Sequence, residues 1–345
     1  MKNKKLFWIF ALSSAVYFTQ GIESLPAQGL FYYLKETLNF SADKIMLIGS
    51  LTTFAWLVKP LIGYLIDHLF SKRVWIFISL ALDIIFVLFL GLMQMPLFIL
   101  VALLIVTSGN AAFRDVAVDG IMCVEGKKYQ ATGKIQSIQW VSILIAGLFT
   151  GIGGAFIAQQ WGYRVGFLCL IPIYLLVGLP AYFYQEEKID KIDLPPATLF
   201  ADLKRLFSDK KILIVGLFIF LYKYSPSFGT PLFFIQRDSF KWGKMWIGTL
   251  GTLSTVFGVI GALLYYKFSQ KINIKKWLFY SVILGGLTTL SYLYYTELSA
   301  VAYDVVYSFL GMFIFLMVMD FMARHSVKGL EATSFALLCS INNLA

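Results

Sequence analysis

The chain alternates between long apolar stretches and short polar connections over nearly its whole length. The apolar stretches run for about 20 residues, which is the length that an α-helix needs to cross a bilayer. They lack the weak ten-residue alternation that is typical of membrane-spanning β-strands. With 59% hydrophobic and 14% charged residues, the chain is also poorer in charge than a soluble protein of its length. The pattern therefore predicts an all-α polytopic membrane protein.

The predicted spans are separated by polar connections of different lengths. They cover residues 6–34, 44–67, 74–94, 97–120, 135–158, 164–184, 212–235, 245–266, 277–295 and 298–322, and an eleventh begins near 330. The longest connection, residues 185–211, divides the chain into a six-helix bundle at 1–184 and a second bundle at 212–345. Two six-helix bundles joined by a cytoplasmic linker are the layout of the major facilitator superfamily. We expect that fold, with the second bundle truncated after about 11 spans because the chain stops within an apolar run.

Basic residues are distributed unevenly between the two sides that these spans define. The N-terminus and the connections after the even-numbered spans hold 20 of the 29 lysines and arginines, and the opposite side holds six. This asymmetry obeys the positive-inside rule, so the N-terminus is expected in the cytoplasm and the protein in the plasma or inner membrane. It also accounts for the net charge of +10 without a nucleic-acid partner. The first apolar run continues towards Leu34 without a cleavage site, which indicates a retained span and not a signal peptide.

Cysteine and histidine residues give no sign of metal or catalytic chemistry. Cys123, Cys169 and Cys339 lie in or beside apolar runs without metal-ligand spacing, and His68 and His325 lie at span ends. No nucleophile motif accompanies them. We therefore expect no enzyme, no metal and no cofactor.

Nine charged residues nevertheless lie inside the predicted spans. They are Glu23, Lys59, Asp83, Arg114, Asp115, Asp119, Lys223, Asp304 and Asp320. An ion in the hydrocarbon core costs at least about 2.5–3.5 kcal/mol, so such residues usually face a water-filled path or a partner. Seven of them lie on spans 1, 4, 7 and 10, which line the central cavity in the superfamily arrangement. For Asp83 we favour structural pairing because its span is expected to be peripheral, and for Asp320 because Arg324 follows it by four residues.

Span 4 carries two acids that share one helix face, because Asp115 and Asp119 are four residues apart. Two neighbouring carboxylates in a low dielectric do not both ionise easily, so one of them is expected to hold a proton. Lys59 and Arg114 are the available counter-ions, and Lys59 lies at the same depth as Asp115. Glu23, at a helix break on span 1, is either a further proton or substrate site or a carboxylate satisfied locally. Proton coupling through Glu23, Asp115 and Asp119 is therefore a hypothesis.

Four motifs resemble one family within the superfamily. They are W-L-V-K-P-L-I-G at 56–63, D-V-A-V-D at 115–119, S-P-S-F-G-T-P-L-F-F at 225–234 and G-L-E-A-T-S-F-A-L at 329–337. Together they resemble the folate–biopterin transporter family. The resemblance implies a folate or pterin cargo, with a carboxylate meeting Lys59, Arg114 or Lys223 and an amino-pyrimidine edge meeting Asp115 or Glu23.

The segment 63–73 resembles the signature loop between helices 2 and 3 of the superfamily. That resemblance implies a cytoplasmic gating latch of Gly63, Asp67 and Arg73, with Asp119 or Glu125 as the partner on span 4 and further contact with the start of helix 11. The alternative is a helix end followed by basic membrane anchors. A weak echo of the segment at the end of span 8 has Gly261 but carries Tyr265 in place of the acid.

These observations favour a secondary transporter that works by alternating access between two bundles. The expected partners are a small polar or anionic solute, protons and membrane lipid, and the protein is expected to be a monomer. The alternatives are a muropeptide or other metabolite permease of the same superfamily, or a truncated membrane protein that does not transport.

Overall fold

The computed structural model describes residues 2–186, 199–224, 232 and 235–345, and nearly all of these residues are helical. The helices are α1 (Lys2–Ile22), α2 (Ala27–Tyr32), α3 (Ala42–Leu57), α4 (Lys59–His68), α5 (Lys72–Leu92), α6 (Leu97–Tyr129), α7 (Thr132–Gln160), α8 (Gly162–Leu168), α9 (Ile171–Phe183), α10 (Leu199–Ser208), α11 (Lys210–Lys223), α12 (Lys244–Phe268), α13 (Ile274–Ser291), α14 (Glu297–Arg324) and α15 (Glu331–Leu344). Most of the motif at 225–234 and part of the connection at 185–211 lie outside the described residues.

Two of the predicted spans are broken helices. The first span stops at Ile22, turns, and resumes as α2, which places Glu23 in the break. The second span bends by 41° between α3 and α4. Pro60 explains this bend, because proline has no N–H to donate and its ring clashes with the carbonyl four residues earlier. As a result, Lys59 is the first residue of a new helix.

The expected number of about 11 spans is not confirmed. Among the described residues, seven helices are long and apolar enough to cross a membrane, or eight if the bent pair α3–α4 counts as one span. The difference has a physical reason. α11 and α15 have 14 residues each, and α1 has polar side chains such as Ser13 and Gln20 along its length. The fold class does not depend on this count.

The two halves of the molecule, α1–α9 and α11–α15, meet mainly at one end. There α7 packs against α12, and α4 and α6 pack against α15. The buried residues of α6 concentrate between 111 and 126, and those of α14 between 316 and 323, while the other parts of both helices are mostly exposed or half-buried. We call this the closed end. The line along which the halves meet is called the seam.

Candidate functional site

Arg114 lies at the centre of a buried ionic cluster in the first half. Its guanidinium on α6 donates to Asp83 on α5 and to Glu23 in the break after α1. The hydroxyl of Tyr174 on α9 donates to Glu23 Oε1 at 3.0 Å, and its ring lies 5.4 Å from the guanidinium. We call Glu23, Asp83, Arg114 and Tyr174 the arginine cluster. Arginine suits this position because its planar group can bind two carboxylates at once.

Lys59 forms a second, separate ion pair with Asp115. The Lys59 Nζ lies 2.6 Å from Asp115 Oδ2, and both side chains are buried. The same ammonium lies 4.3 Å from the ring centre of Trp56, and the indole N–H of Trp56 donates to Ser108 Oγ at 3.1 Å. The break at Pro60 positions this lysine, because it begins α4 directly beside α6.

Asp119 is buried without a basic partner among the residues that the structure describes. Its Oδ1 accepts hydrogen bonds from the Tyr17 hydroxyl at 2.9 Å and from Gln139 Nε2 at 3.3 Å. Both donors are neutral. A buried carboxylate whose direct hydrogen-bond donors are neutral is a group whose charge is costly.

The two acids of span 4 therefore have different partners, and the expected counter-ions do not act together. Lys59 neutralises Asp115, whereas Arg114 turns away towards Glu23 and Asp83. The reason is that consecutive residues point about 100° apart around a helix. Asp83 is paired, as expected, and its partner Arg114 is the one that Glu23 also binds. A signal for this was present, since Arg114 is the single arginine in the interior of a predicted span, away from its ends.

Two neutral partners were not singled out from the sequence. Gln139 lies in a helix with other polar residues, and Tyr174 is one of 19 tyrosines. Their roles follow from helix packing, because α7 and α9 both pack against α1. No motif marks them in the sequence.

Lys223 lies at the seam between the halves. It is the last residue of α11, its side chain is half-buried, and its Nζ lies 5.4 Å from the ring centre of Phe315 on α14. Phe315 in turn packs edge-on against Trp140 of the first half, with ring centres 4.5 Å apart. Within the described part of the chain, no carboxylate lies within 4 Å of the Lys223 ammonium.

A cavity of about 360 Å³ opens within the first half beside the arginine cluster. It has one carboxylate, an amide, several hydroxyls and a largely apolar remainder that includes aromatic rings. Its lining includes Gln20, Glu23, Phe31, Gly49, Thr52, Trp56, Leu104, Thr107, Ser108, Phe167 and Tyr174. Arg114 and Tyr174 use Glu23 Oε1, and none of the hydrogen bonds among the described residues uses Oε2. The cavity thus presents a fixed carboxylate oxygen to a ligand of mixed polarity.

Some of the contacts that the signature-loop resemblance implies are present at the closed end. Asp67, at the end of α4, accepts from the backbone N–H groups of Ala332 and Thr333 at 3.2 and 2.8 Å, and from the Thr333 hydroxyl at 2.8 Å. These groups begin α15, where unpaired N–H groups and the helix dipole favour an acid. Gly63 permits the contact, because a Cβ there would lie 2.7 Å from Thr333 Cα. The ammonium of Lys72 lies 3.6 Å from Asp67.

Arg73 does not take part in these contacts. Its side chain donates to the carbonyls of Ala181 and Tyr182 at 2.8 and 2.7 Å, so it binds the end of α9 within the same half. The expected span 4 partners also lie elsewhere. Asp119 is bound by Tyr17, and Glu125 pairs with Lys5 at 2.6 Å.

A different residue of α6 reaches across the seam. The Lys127 ammonium donates to the backbone oxygen and hydroxyl of Ser326 at 3.1 and 2.9 Å and lies 3.8 Å from Glu331. Lys127 lies near the C-terminal end of α6, where Ser326 and Glu331 come next to it. In the sequence it lies beyond the apolar run of span 4, among the basic residues that the positive-inside rule already explains.

The fold is that of solved transporters of the major facilitator superfamily. The crystal structure of FucP, a transporter of that superfamily in the outward conformation, superposes with a TM-score of 0.73 over 97% of this chain and 89% of FucP. A second structure, of the Escherichia coli fucose:proton symporter FucP, gives a TM-score of 0.74. Sequence identity is 14% in both cases, so the likeness concerns the fold. It confirms the expected fold class, an all-α fold of the major facilitator type.

Sequence relatives define the protein more closely. The model of the BT1 family matches residues 20–345, and the chain belongs to that family. The folate-biopterin transporter of Synechocystis is 24% identical over 98% of this chain and 72% of its own length. The probable folate-biopterin transporter 4 of Arabidopsis thaliana is 22% identical over 98% of this chain and 85% of its own. Folate transporter 1 of Plasmodium falciparum is 22% identical over 96% of this chain and 69% of its own length. The family resemblance expected from the motifs is confirmed, and the protein is a transporter and not an enzyme.

Proposed function

We propose that this protein carries folate or pterin-like solutes across a membrane by alternating access. The names of the relatives support the cargo class, and the fold supports the mode of transport. The observation that carries the proposal furthest is the position of Glu23. Its carboxylate forms part of the cavity wall and is held in place by Arg114 and Tyr174.

Glu23 suits the ring edge of a pterin. That edge presents adjacent N–H donors, and a fixed carboxylate is the acceptor that such donors bind best. The arginine cluster holds two carboxylates against one guanidinium, so it attracts donors and not anions when both acids are ionised. Trp56 and Tyr174 contribute aromatic surface to the same cavity, which favours a planar heteroaromatic ring.

Lys223 suits the carboxylate of a folate. The other two cations inside the predicted spans already have carboxylate partners, Lys59 in Asp115 and Arg114 in the arginine cluster. A half-buried ammonium at the seam without such a partner in the described residues is costly, and an anionic cargo would relieve that cost. The cargo is thereby oriented, with its ring towards the first half and its carboxylate towards Lys223.

The packing of the two halves at the closed end corresponds to one state of an alternating-access cycle, in which that end is shut. The predicted cytoplasmic connections with their basic residues lie at this end, so we place it in the cytoplasm together with the N-terminus. The opposite end is then the side from which cargo enters in this state. We further propose that the protein acts as a monomer in the plasma or inner membrane.

Proton coupling is assigned first to Asp119. Asp115 and Glu23 each form an ion pair with a cation, whereas Asp119 accepts its hydrogen bonds only from the neutral donors Tyr17 and Gln139 in the described structure. A proton on Asp119 would remove a buried charge during the cycle.

Uptake into proteoliposomes tests the proposal. Labelled 5-formyl-folate should enter, and unlabelled folate and biopterin should compete with it, whereas anhydro-muropeptide should not. Competition by the muropeptide alone would overturn the folate assignment in favour of a muropeptide permease.

Two variants test the orientation of the cargo. Lys223→Gln should weaken folate uptake by roughly ten- to a hundredfold, the value of a charge-assisted contact, and leave biopterin uptake nearly unchanged because biopterin has no carboxylate. Glu23→Gln should weaken both. Lys210→Gln, at the other end of α11, is the matched control and should change neither. Equal losses of folate and biopterin in Lys223→Gln would count against the orientation.

A further inference from the structure

The helices that close the seam begin with related sequences. Residues Gln130-Ala-Thr-Gly133 lead into α7 in the first half, and Glu331-Ala-Thr-Ser334 begin α15 in the second half. Asp67 binds Thr333 of the second segment from across the seam. If the halves repeat each other, Thr132 of the first segment should have an acid partner from the second half.

The sequence echo does not supply that acid. Span 8 ends with Gly261 and Tyr265, at the spacing of Gly63 and Asp67, so a tyrosine stands where an acid is expected. The sequence echo alone therefore predicts no such contact for the second half.

Asp320, on the neighbouring helix α14, supplies the acid that the end of span 8 lacks. Its side chain, which is 0% exposed on α14, accepts a hydrogen bond from the Thr132 hydroxyl across the seam. Tyr265, the residue that replaces the acid, donates its hydroxyl to Asp320 Oδ2 at 2.8 Å. The first half approaches closely here, since a Cβ on Gly133 would lie 2.6 Å from Asp320 Oδ2 and 2.7 Å from Ser269 Cβ.

Asp320 also forms the ion pair with Arg324 that its spacing predicts, with contacts of 3.0 and 2.8 Å. An ion pair within one helix does not explain why the Thr132 hydroxyl of the other half binds Asp320, nor why a glycine, Gly133, lies where a Cβ would touch Asp320. The two latches share a further property. Each acid has its cation in its own half, Lys72 for Asp67 and Arg324 for Asp320, and binds neutral donors in the other half. Opening the closed end would therefore leave neither acid without its cation.

We propose that Asp320 is a second latch residue, which binds Thr132 in the closed state and releases it when the closed end opens. It is a positioning residue of the transport cycle. The inference rests on alternating access from the proposed function, but it does not depend on the identity of the cargo.

Cys123 provides a readout of the closed end. Its thiol is 0% exposed and lies against Ser326 of the second half, so a maleimide should reach it only after the seam opens. The labelling rate of Cys123 can be measured by mass spectrometry on the purified full chain without cargo. Cys169, which lies between α8 and α9 and is half-buried, serves as the internal reference.

Thr132→Val is the decisive variant, because it removes the hydroxyl and leaves Asp320 with Arg324. Cys123 labelling should rise roughly three- to tenfold, the value of one hydrogen bond, and Cys169 labelling and the unfolding temperature should change little. Thr132→Ser keeps a hydroxyl and should restore the slow rate. Thr150→Val is the control, since Thr150 Oγ1 donates within its own helix to the Gly147 carbonyl at 3.1 Å.

Thr333→Val removes the hydroxyl that binds Asp67, so the rise in Cys123 labelling that it causes is the reference for the rise expected with Thr132→Val. A rise in Cys123 labelling with Thr333→Val but none with Thr132→Val would overturn the proposal and leave Asp320 as half of a structural ion pair. A rise with Thr132→Val that Thr132→Ser does not reverse would also overturn it. Failed folate uptake by the native protein would refute the cargo assignment and leave this result unaffected.

Discussion

Replacing Arg114 by methionine should destabilise the protein strongly. Arg114 and Asp83 are each 1% exposed, and the guanidinium donates to both Asp83 and Glu23. Without it, the Asp83 carboxylate would remain buried with no cation to balance it. Breaking a buried pair in this way costs about 3–5 kcal/mol. Glu23 would contribute less, because its side chain is 19% exposed and keeps the hydrogen bond from Tyr174.

The cost should depend on the stranded charge and not on lost packing. Adding Asp83→Asn to Arg114→Met removes that charge, so the double variant should be more stable than Arg114→Met alone. Asp83→Asn by itself leaves Arg114 paired with Glu23 and should cost only about 1–2 kcal/mol, the value of a weakened hydrogen bond. The effects are therefore strongly non-additive, as expected for residues in contact.

Thermal unfolding of the purified protein measures this order. In soluble domains of 150–250 residues, each kcal/mol shifts the midpoint by about 2–4 °C, so Arg114→Met should lower it by on the order of 10 °C. The double variant should recover about half of that loss or more. A double variant no more stable than Arg114→Met would refute the reasoning, because packing of the long side chain would then explain the loss.

Three further changes test other parts of the site. Asp119→Asn should fold normally, because Tyr17 and Gln139 can donate to an amide oxygen as well. Its uptake of folate should no longer respond to a pH gradient. An unchanged response would show that Asp119 has no part in proton coupling. Gly49→Leu should weaken pterin binding measured by equilibrium dialysis, because the leucine side chain would fill part of the cavity that Gly49 lines. A Cβ at Gly49 meets nothing within 4 Å, so the fold should tolerate the change. Gly178→Leu is the control, since Gly178 has equal space but does not line the cavity, and it should leave binding unchanged. Gly63→Ala should speed Cys123 labelling, because its Cβ would press on Thr333 and part α4 from α15; a native rate would show that the backbones can adjust.

The fold could be predicted because its signals are spread over many residues. Apolar runs of about 20 residues and the distribution of 29 basic residues both report on the membrane itself, which acts on the whole chain. The number of spans was less secure, because broken and short helices such as α3–α4 and α15 do not fit one length criterion.

The pairing within the site could not be predicted in the same way. The charged residues were identifiable, since each is costly in an apolar run. Their partners depend on the rotation of each helix about its axis, which the sequence does not give. Arg114 and Asp115 are neighbours in sequence and belong to different clusters, and Lys59 reaches Asp115 because α4 starts anew at Pro60.

The ion pairs of the molecule are arranged so that the two halves can separate at low cost. Nearly every ion pair among the described helices of the two halves joins residues of the same half, including the deeply buried pairs of Lys59 and Arg114. The exception in the described structure is Lys127 with Glu331, which is also the longest at 3.8 Å. The Lys127 side chain is 28% exposed, so water can replace Glu331 when the seam opens. Separation of the halves thus exchanges hydrogen bonds to neutral groups, and the long Lys127–Glu331 contact, for water. The buried ion pairs of Lys59 and Arg114 stay intact, which favours a reversible cycle.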